Sequence, residues 1–355
     1  MPADQAERRE NQIQMNRNRR YQTMDLFRVL SFAVVVFYRF FMETYQYHKF
    51  GWDIWRDVQF GNINIVVTAV SMFFMVSGAG LTFSCLRKEG KIDWWTWYMK
   101  HFLHLMIPFY LAYILTVGGT ILATRSLEHF QGKGLWRIIF TLIGMDGYLS
   151  VHGVGTFYLA VGEWFFGCLV VFYLLYPLLF RMMQKYGSSI MAGAAVLVLA
   201  FTFWYHGDVP LRMLMIVKIF DFLMGIYLAI HAEKLQWIPA VILACISLLL
   251  SGLVHIPVEY ASSIFAACLL ATGLCMEPKL PETVFSHGIR AVAEKWSFEI
   301  FLLHHALLLA MVRMIPEMTG AAVMVGLAGY LVVVIIFAGV LRVIEKLVFN
   351  VIKKD

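Results

Sequence analysis

Charge is what this chain has least of. Asp, Glu, Lys and Arg make up 15% of its 355 residues, while 60% are hydrophobic and mean hydropathy is +0.71. Soluble domains carry about 25% charged residues, so a soluble globular fold is excluded and the chain reads as a polytopic membrane protein. Cysteine is also sparse. The five present (Cys85, Cys168, Cys245, Cys268, Cys275) have neither metal-ligand spacing nor a paired set in an outer loop, and they read as packing residues. No metal is implied. Basic residues sit at loop ends and form no soluble patch, which removes nucleic acid as a partner. A low-complexity tract and a clear internal repeat are both lacking, which weighs against an inverted-repeat transporter. A cleavable signal peptide is lacking too. Residues 1–24 are polar and basic, and the apolar segment after them is too long for a signal h-region, so an uncleaved signal anchor is expected.

What the chain has in abundance is apolar runs. The first extends from about Asp25 to Met42, and nine more centre on 63–85, 102–124, 157–180, 188–204, 211–231, 235–254, 259–276, 297–315 and 320–345. Each approaches the ~20 residues that cross a bilayer. Segment 135–145 is apolar but too short, and it leads into the glycine-containing stretch Gly144–Gly155; it reads as a re-entrant or interfacial element. With the N-terminus inside, nineteen basic residues fall in inner segments and five in outer ones; counting 135–145 as a span moves ten to the wrong side. The expected fold is therefore all-α: ten transmembrane helices, both termini cytoplasmic, plus one short re-entrant or interfacial segment. The expected organisation is a basic cytoplasmic segment over 1–24, a membrane domain over 25–346 and a short cytoplasmic tail over 347–355. Trp94, Trp95, Trp97 and Tyr98 predict a helix lying in the inner interface.

Against this apolar background, Arg28 and Arg39 stand out inside the first span. Eleven residues at about 100° each return to within about 20° of the start, so both side chains share one helix face, roughly 16 Å apart. A mid-span charge costs about 2.5–3.5 kcal/mol. Two on one face predict an interior cavity that receives something negative. The simpler readings are an Asp25–Arg28 pair at the helix start and a snorkelling, lipid-facing Arg39. Lys218 and Asp221, three apart, are expected to neutralise each other. His305 reads as structural, and Arg313 as an interface anchor.

Several local patterns then agree in order. The run Asp25-Leu-Phe-Arg28 through Phe37-Tyr38-Arg39 resembles the first helix of the acyltransferase-3 family of membrane O-acyltransferases, in which an arginine precedes a histidine by eleven positions. Phe73-Phe74-Met75-Val76-Ser77-Gly78 is similar to that family's Phe-x-x-x-Ser-Gly element. Tyr98-Met99-Lys100-His101 followed by Pro108 resembles its third-helix opening. Trp164-Phe165-Phe166 through Tyr173-Leu174-Leu175-Tyr176-Pro177 is similar to its Trp-Phe…Tyr-Leu-x-x-Pro helix, and Ser297-Phe298-Glu299-Ile300-Phe301-Leu302-Leu303-His304 to its late Ser…His element. Two departures stand out. Position 39 is Arg where the family has His, either natural divergence or a replacement, and the third-helix opening carries Lys100, His101 and His104 in place of arginines.

The resemblance implies transfer of an acyl group, usually acetyl, from cytoplasmic acyl-CoA to a hydroxyl of a surface polysaccharide or its lipid-linked precursor. The expected location is a plasma membrane of the bacterial inner-membrane kind. No cofactor is held permanently; acetyl-CoA or another acyl-CoA is a co-substrate, and the glycan acceptor and the bilayer are the other partners. Arg28, Arg87, Lys88, Lys100 and His101 are then the expected donor-binding residues. Position 39 marks the reacting centre. Arginine does not serve as a base at neutral pH, so with Arg39 in place the base is another group: Glu163, His304, His48 or His152, in falling order. The catalytic set carried forward is Arg39, Glu163 and His304. The alternative is a transporter or flippase for an anionic or lipid-linked glycan, with Arg28 and Arg39 as counter-charges.

Overall fold

The computed structural model describes residues 21–54, 58–88, 92–126, 134–254, 256–277, 280–281 and 283–352. Most of the basic 1–24 segment lies outside the described residues. So do Arg56, Lys91, Lys133, Lys279, Lys353 and Lys354, which entered the charge count.

The described chain is helical apart from one two-residue hairpin. Helix α1 (Gln22–Gln46) is followed by strands β1 (Gln59–Phe60) and β2 (Ile63–Asn64), paired antiparallel, and then by α2 (Ile65–Leu86) and α3 (Trp94–Thr124). Two short helices, α4 (Ile138–Leu142) and α5 (Asp146–Val151), lead to the 42-residue α6 (Glu163–Trp204). The remainder is α7 (Met215–Ile230), α8 (Trp237–Leu253), α9 (Val258–Met276), α10 (Val284–Lys295), α11 (Ser297–Val312) and α12 (Ala321–Ile352).

By length and apolarity alone, five helices suffice to cross a membrane: α2, α3, α6, α9 and α12. A sixth is added if α10 and α11, bent by 59° around Trp296, form one broken span. The fold is thus a polytopic membrane helix bundle, and the expected ten spans are matched only in part. The physical reasons are specific. Helix α1 carries Asp25, Arg28, Arg39 and Glu43; α7 and α8 have 16 and 17 residues; and α6 joins two expected spans across a non-helical Tyr186 (φ −132°, ψ 27°). Two other expectations change. The tryptophan-rich stretch is the opening of the continuous α3, with Trp97 buried and stacked on Tyr176 at 5.1 Å, not a separate surface helix. Helix α12 also runs past residue 346 to Ile352.

Buried polar groups fix the helix ends that matter for the site. The Glu277 carboxylate, just beyond α9, accepts from Gln22 N (2.7 Å), Thr23 N (2.9 Å) and Thr23 Oγ1 (2.8 Å). It closes the start of α1 with negative charge at the positive end of the helix dipole. Asn64 caps α2 by accepting from Val66 N and Val67 N. Helices α2 and α7 meet backbone to backbone. A Cβ on Gly78 would lie 2.3 Å from Phe222 O, and one on Gly225 2.0 Å from Met75 O, the close approach that small residues permit between membrane helices. The glycine of the Phe-x-x-x-Ser-Gly pattern thus has a packing reason. Between these helices Lys218 Nζ donates to Asp221 Oδ2 and Ser71 Oγ, both at 2.9 Å, so the expected pair is present and fully buried. Cys85 and Cys168 are core residues.

Candidate active site

Helix α1 carries both halves of the site. Toward its C-terminal end, Arg39 and Glu43 lie one turn apart with Arg39 Nη1 and Glu43 Oε1 at 3.7 Å. Arg39 Nη2 donates to Glu163 Oε2 at the start of α6. From α11, His305 Nε2 donates to Glu43 Oε1 at 3.1 Å, and its Nδ1 lies 3.3 Å from Glu163 Oε1. Arg39, Glu163, His305 and Glu43 therefore close a ring of alternating basic and acidic groups. His304 adds a fifth member, with Nε2 3.4 Å from Glu163 Oε1. All five are largely withdrawn from solvent. The lipid-facing reading of Arg39 is overturned by these two carboxylates, and the structural reading of His305 by its place in the ring.

Glu163 is held by an unusual turn. Ala160, Gly162 and Glu163 have φ of 58°, 71° and 48°, so two non-glycine residues occupy left-handed backbone beside the site. Such residues cost of order 1–3 kcal/mol each and persist where their surroundings over-determine them. The surroundings here are tight. Gly162 N donates to Leu302 O on α11 at 3.4 Å, and a Cβ on Gly147 of α5 would lie 2.3 Å from Glu163 O. The short 135–151 segment, too short to span, thus supplies the support behind Glu163.

Hydrogen-bond accounting assigns the protons. His304 Nδ1 donates to Phe301 O at 2.7 Å, so a neutral His304 turns the Nε2 lone pair toward Glu163. His305 faces a carboxylate with each ring nitrogen, an arrangement that only an imidazolium satisfies. With His305 charged, the ring Arg39–Glu163–His305–Glu43 sums to zero charge. Glu163 Oε1 receives no hydrogen bond that meets normal geometry, nor does His304 Nε2 have a partner. The two are left facing each other, ready to pass a proton.

Two cavities meet α1. One has a water-accessible volume of about 110 Å³ and is lined by Tyr38, Arg39, Glu163, Arg212 and Lys218 among apolar side chains. The other, about 560 Å³, is lined by Arg28, Lys100, His101, His104, Ser77 and Tyr173. A third hollow of about 280 Å³ shares Arg28, Ser77 and Tyr173 with it and reaches Arg87. Arg28 also lies 3.8 Å from Asp25, so the expected pair exists beside the cavity wall.

A family model described as an acyltransferase domain (Acyl_transf_3) matches residues 21–343. The chain belongs to the acyltransferase-3 family. No curated protein and no solved structure matches it. Of the residues expected for an acyltransferase-3 site, the fold brings Arg39, Glu163 and His304 together, and gathers Arg28, Arg87, Lys100 and His101 around joined hollows. Lys88 is elsewhere, lining a separate cavity with Cys85, Trp94 and Arg181. His48 is exposed after α1, and His152 follows α5 with its Nδ1 on Tyr148 O; neither touches the ring. Arg313 is exposed at the end of α11, as expected of an anchor. Glu43 and His305 are the members that sequence reasoning missed. Among the described residues no group of three or more His, Cys, Asp or Glu is arranged to hold a metal ion.

Proposed function

We propose that this acyltransferase-3 protein transfers a short acyl group, acetyl in the simplest case, from acyl-CoA to a hydroxyl of a cell-surface polysaccharide or its lipid-linked precursor. One observation carries the reading: one helix presents Arg28 to a roomy basic cavity and, roughly 16 Å further along, Arg39 to a small cavity shared with a carboxylate. The first suits the phosphates of CoA, and the second suits a thioester meeting a hydroxyl. In this reading the chain spans a plasma membrane ten times. The spans are α1, α2, α3, the two arms of α6, α7, α8, α9, the α10–α11 pair and α12. Both termini and the Arg28 cavity are cytoplasmic.

The residues divide the chemistry as follows. Arg28, Lys100 and His101, with Arg87 behind, hold the donor's phosphates. Glu163 takes the proton of the acceptor hydroxyl as its oxygen attacks the thioester carbonyl, and the His304 Nε2 lone pair takes that proton on. Arg39 stabilises the oxyanion of the tetrahedral intermediate. As the C–S bond breaks, the proton returns to the CoA thiolate, leaving an ester and CoA thiol. Glu43 and His305 hold Arg39 and Glu163 in register.

The test is acetyl-CoA binding and turnover by the purified chain in detergent. Arg28→Ala should weaken CoA binding. Arg39→Leu should keep binding and lose turnover. Turnover that appears only in Arg39→His would assign the base to position 39 and overturn the role given to Glu163. Absence of CoA binding would favour a glycan transporter.

A further inference from the structure

The two cavities share three wall residues, and all three are phenylalanines: Phe73 of α2, Phe165 of α6 and Phe301 of α11. Their rings touch in a triangle, with centroids 5.7 Å apart for Phe73–Phe165, 5.2 Å for Phe165–Phe301 and 6.5 Å for Phe73–Phe301. These are contact distances for aromatic pairs. No polar side chain is shared by the two linings. Each ring also sits beside a group with a job in one cavity or the other. Phe73 is one turn from Ser77, Phe165 follows Glu163 by two residues, and the carbonyl of Phe301 holds His304.

We propose that Phe73, Phe165 and Phe301 form an aromatic collar that admits only a short acyl thioester from the Arg28 cavity to Arg39 and Glu163, and so sets the donor chain length. The proposal rests on the acyl-transfer reading above. The geometry argues for a gate. A CoA headgroup is confined to the roomy basic side, and the acyl end must part three mutually packed rings to reach a space of about 110 Å³. Each added methylene enlarges what must pass the rings and fit beyond them. Aromatic rings seal against water and ions while yielding by rotamer change to a flat, apolar-flanked thioester. The same seal keeps water on the donor side away from the reacting centre.

The experiment is competition binding of CoA, acetyl-CoA, butyryl-CoA and hexanoyl-CoA to the purified full chain in detergent, with thiol release followed in parallel. The wild type should favour acetyl-CoA over hexanoyl-CoA. Phe73→Leu and Phe165→Ala should raise the hexanoyl-to-acetyl affinity ratio about tenfold or more, while affinity for CoA itself stays within about twofold, showing an intact fold and donor cavity. Phe73→Trp, which adds bulk, should retain CoA and lose the preference for acetyl-CoA over free CoA. An unchanged chain-length ratio in collar variants that still bind CoA overturns the collar. A wild type that binds no CoA overturns the acyl-transfer reading and the collar with it.

Discussion

Replacing Gly147 with alanine probes whether the backbone behind Glu163 is what places its carboxylate. The new Cβ would lie 2.3 Å from Glu163 O, 2.4 Å from Glu163 C and 3.0 Å from Trp164 N, where ordinary contact begins at 3.4 Å. The atoms in the way are backbone, and the turn they belong to is already in left-handed conformation, so no side chain can swing aside. Relief demands a movement of about 1 Å between α5 and the start of α6, and a misplacement of that size costs on the order of a hundredfold in rate. Overpacking of this kind also lowers stability by about 1–3 kcal/mol. Acetyl-CoA turnover by Gly147→Ala should therefore fall about a hundredfold, with CoA affinity kept because Arg28 and Lys100 line a different cavity. The control is Gly193→Ala, on the far arm of α6 with nothing within 4 Å of the added atom; it should leave turnover unchanged. Full turnover in a folded Gly147→Ala protein would refute the reasoning.

Other outcomes follow from the same structure. Glu277→Ala removes three hydrogen bonds and the negative charge at the start of α1; thermal unfolding in detergent, followed by tryptophan fluorescence, should show a loss of about 2–3 kcal/mol. Lys218→Met leaves Asp221 buried without its cation and should cost about 3–5 kcal/mol, whereas the double variant Lys218→Met/Asp221→Leu should recover most of that stability. Glu43→Gln leaves the His305 imidazolium with one carboxylate partner. Turnover should fall roughly ten- to a hundredfold, CoA affinity should hold, and His305→Ala should add little on top because both act through one ring.

Much of the architecture was legible because its signal is local. Apolar runs gave the helices, and Gly78 was visible as part of a motif. Arg28 and Arg39 were visible as charges where charge is costly. Features that depend on contacts between helices were not. Reading the first span as ending at Met42 left Glu43 outside it, although Glu43 is four residues from Arg39 and the helix runs to Gln46; the i,i+4 spacing to an arginine was the available clue. His305 follows His304 directly, and adjacent helix positions point about 100° apart, so one match seemed to leave the other facing away. Glu163 lies between them and meets both. Lys88 was grouped with Arg87 by adjacency, yet the chain leaves α2 there and its side chain enters another cavity. The two arms of α6 read as separate spans because Tyr186 interrupts the helix without interrupting the hydrogen-bonded run.

The most direct measurement is acetyl-CoA turnover and CoA binding by the chain as sequenced and by its Glu163→Gln variant. Loss of a general base lowers rate by about 10²–10⁴-fold. The expected result is turnover in the sequenced protein, a drop of that size in the variant and unchanged CoA affinity, since Glu163 lines only the Arg39 cavity of the two. Turnover preserved in Glu163→Gln would contradict the assignment of the reacting centre to the Arg39–Glu163 pair.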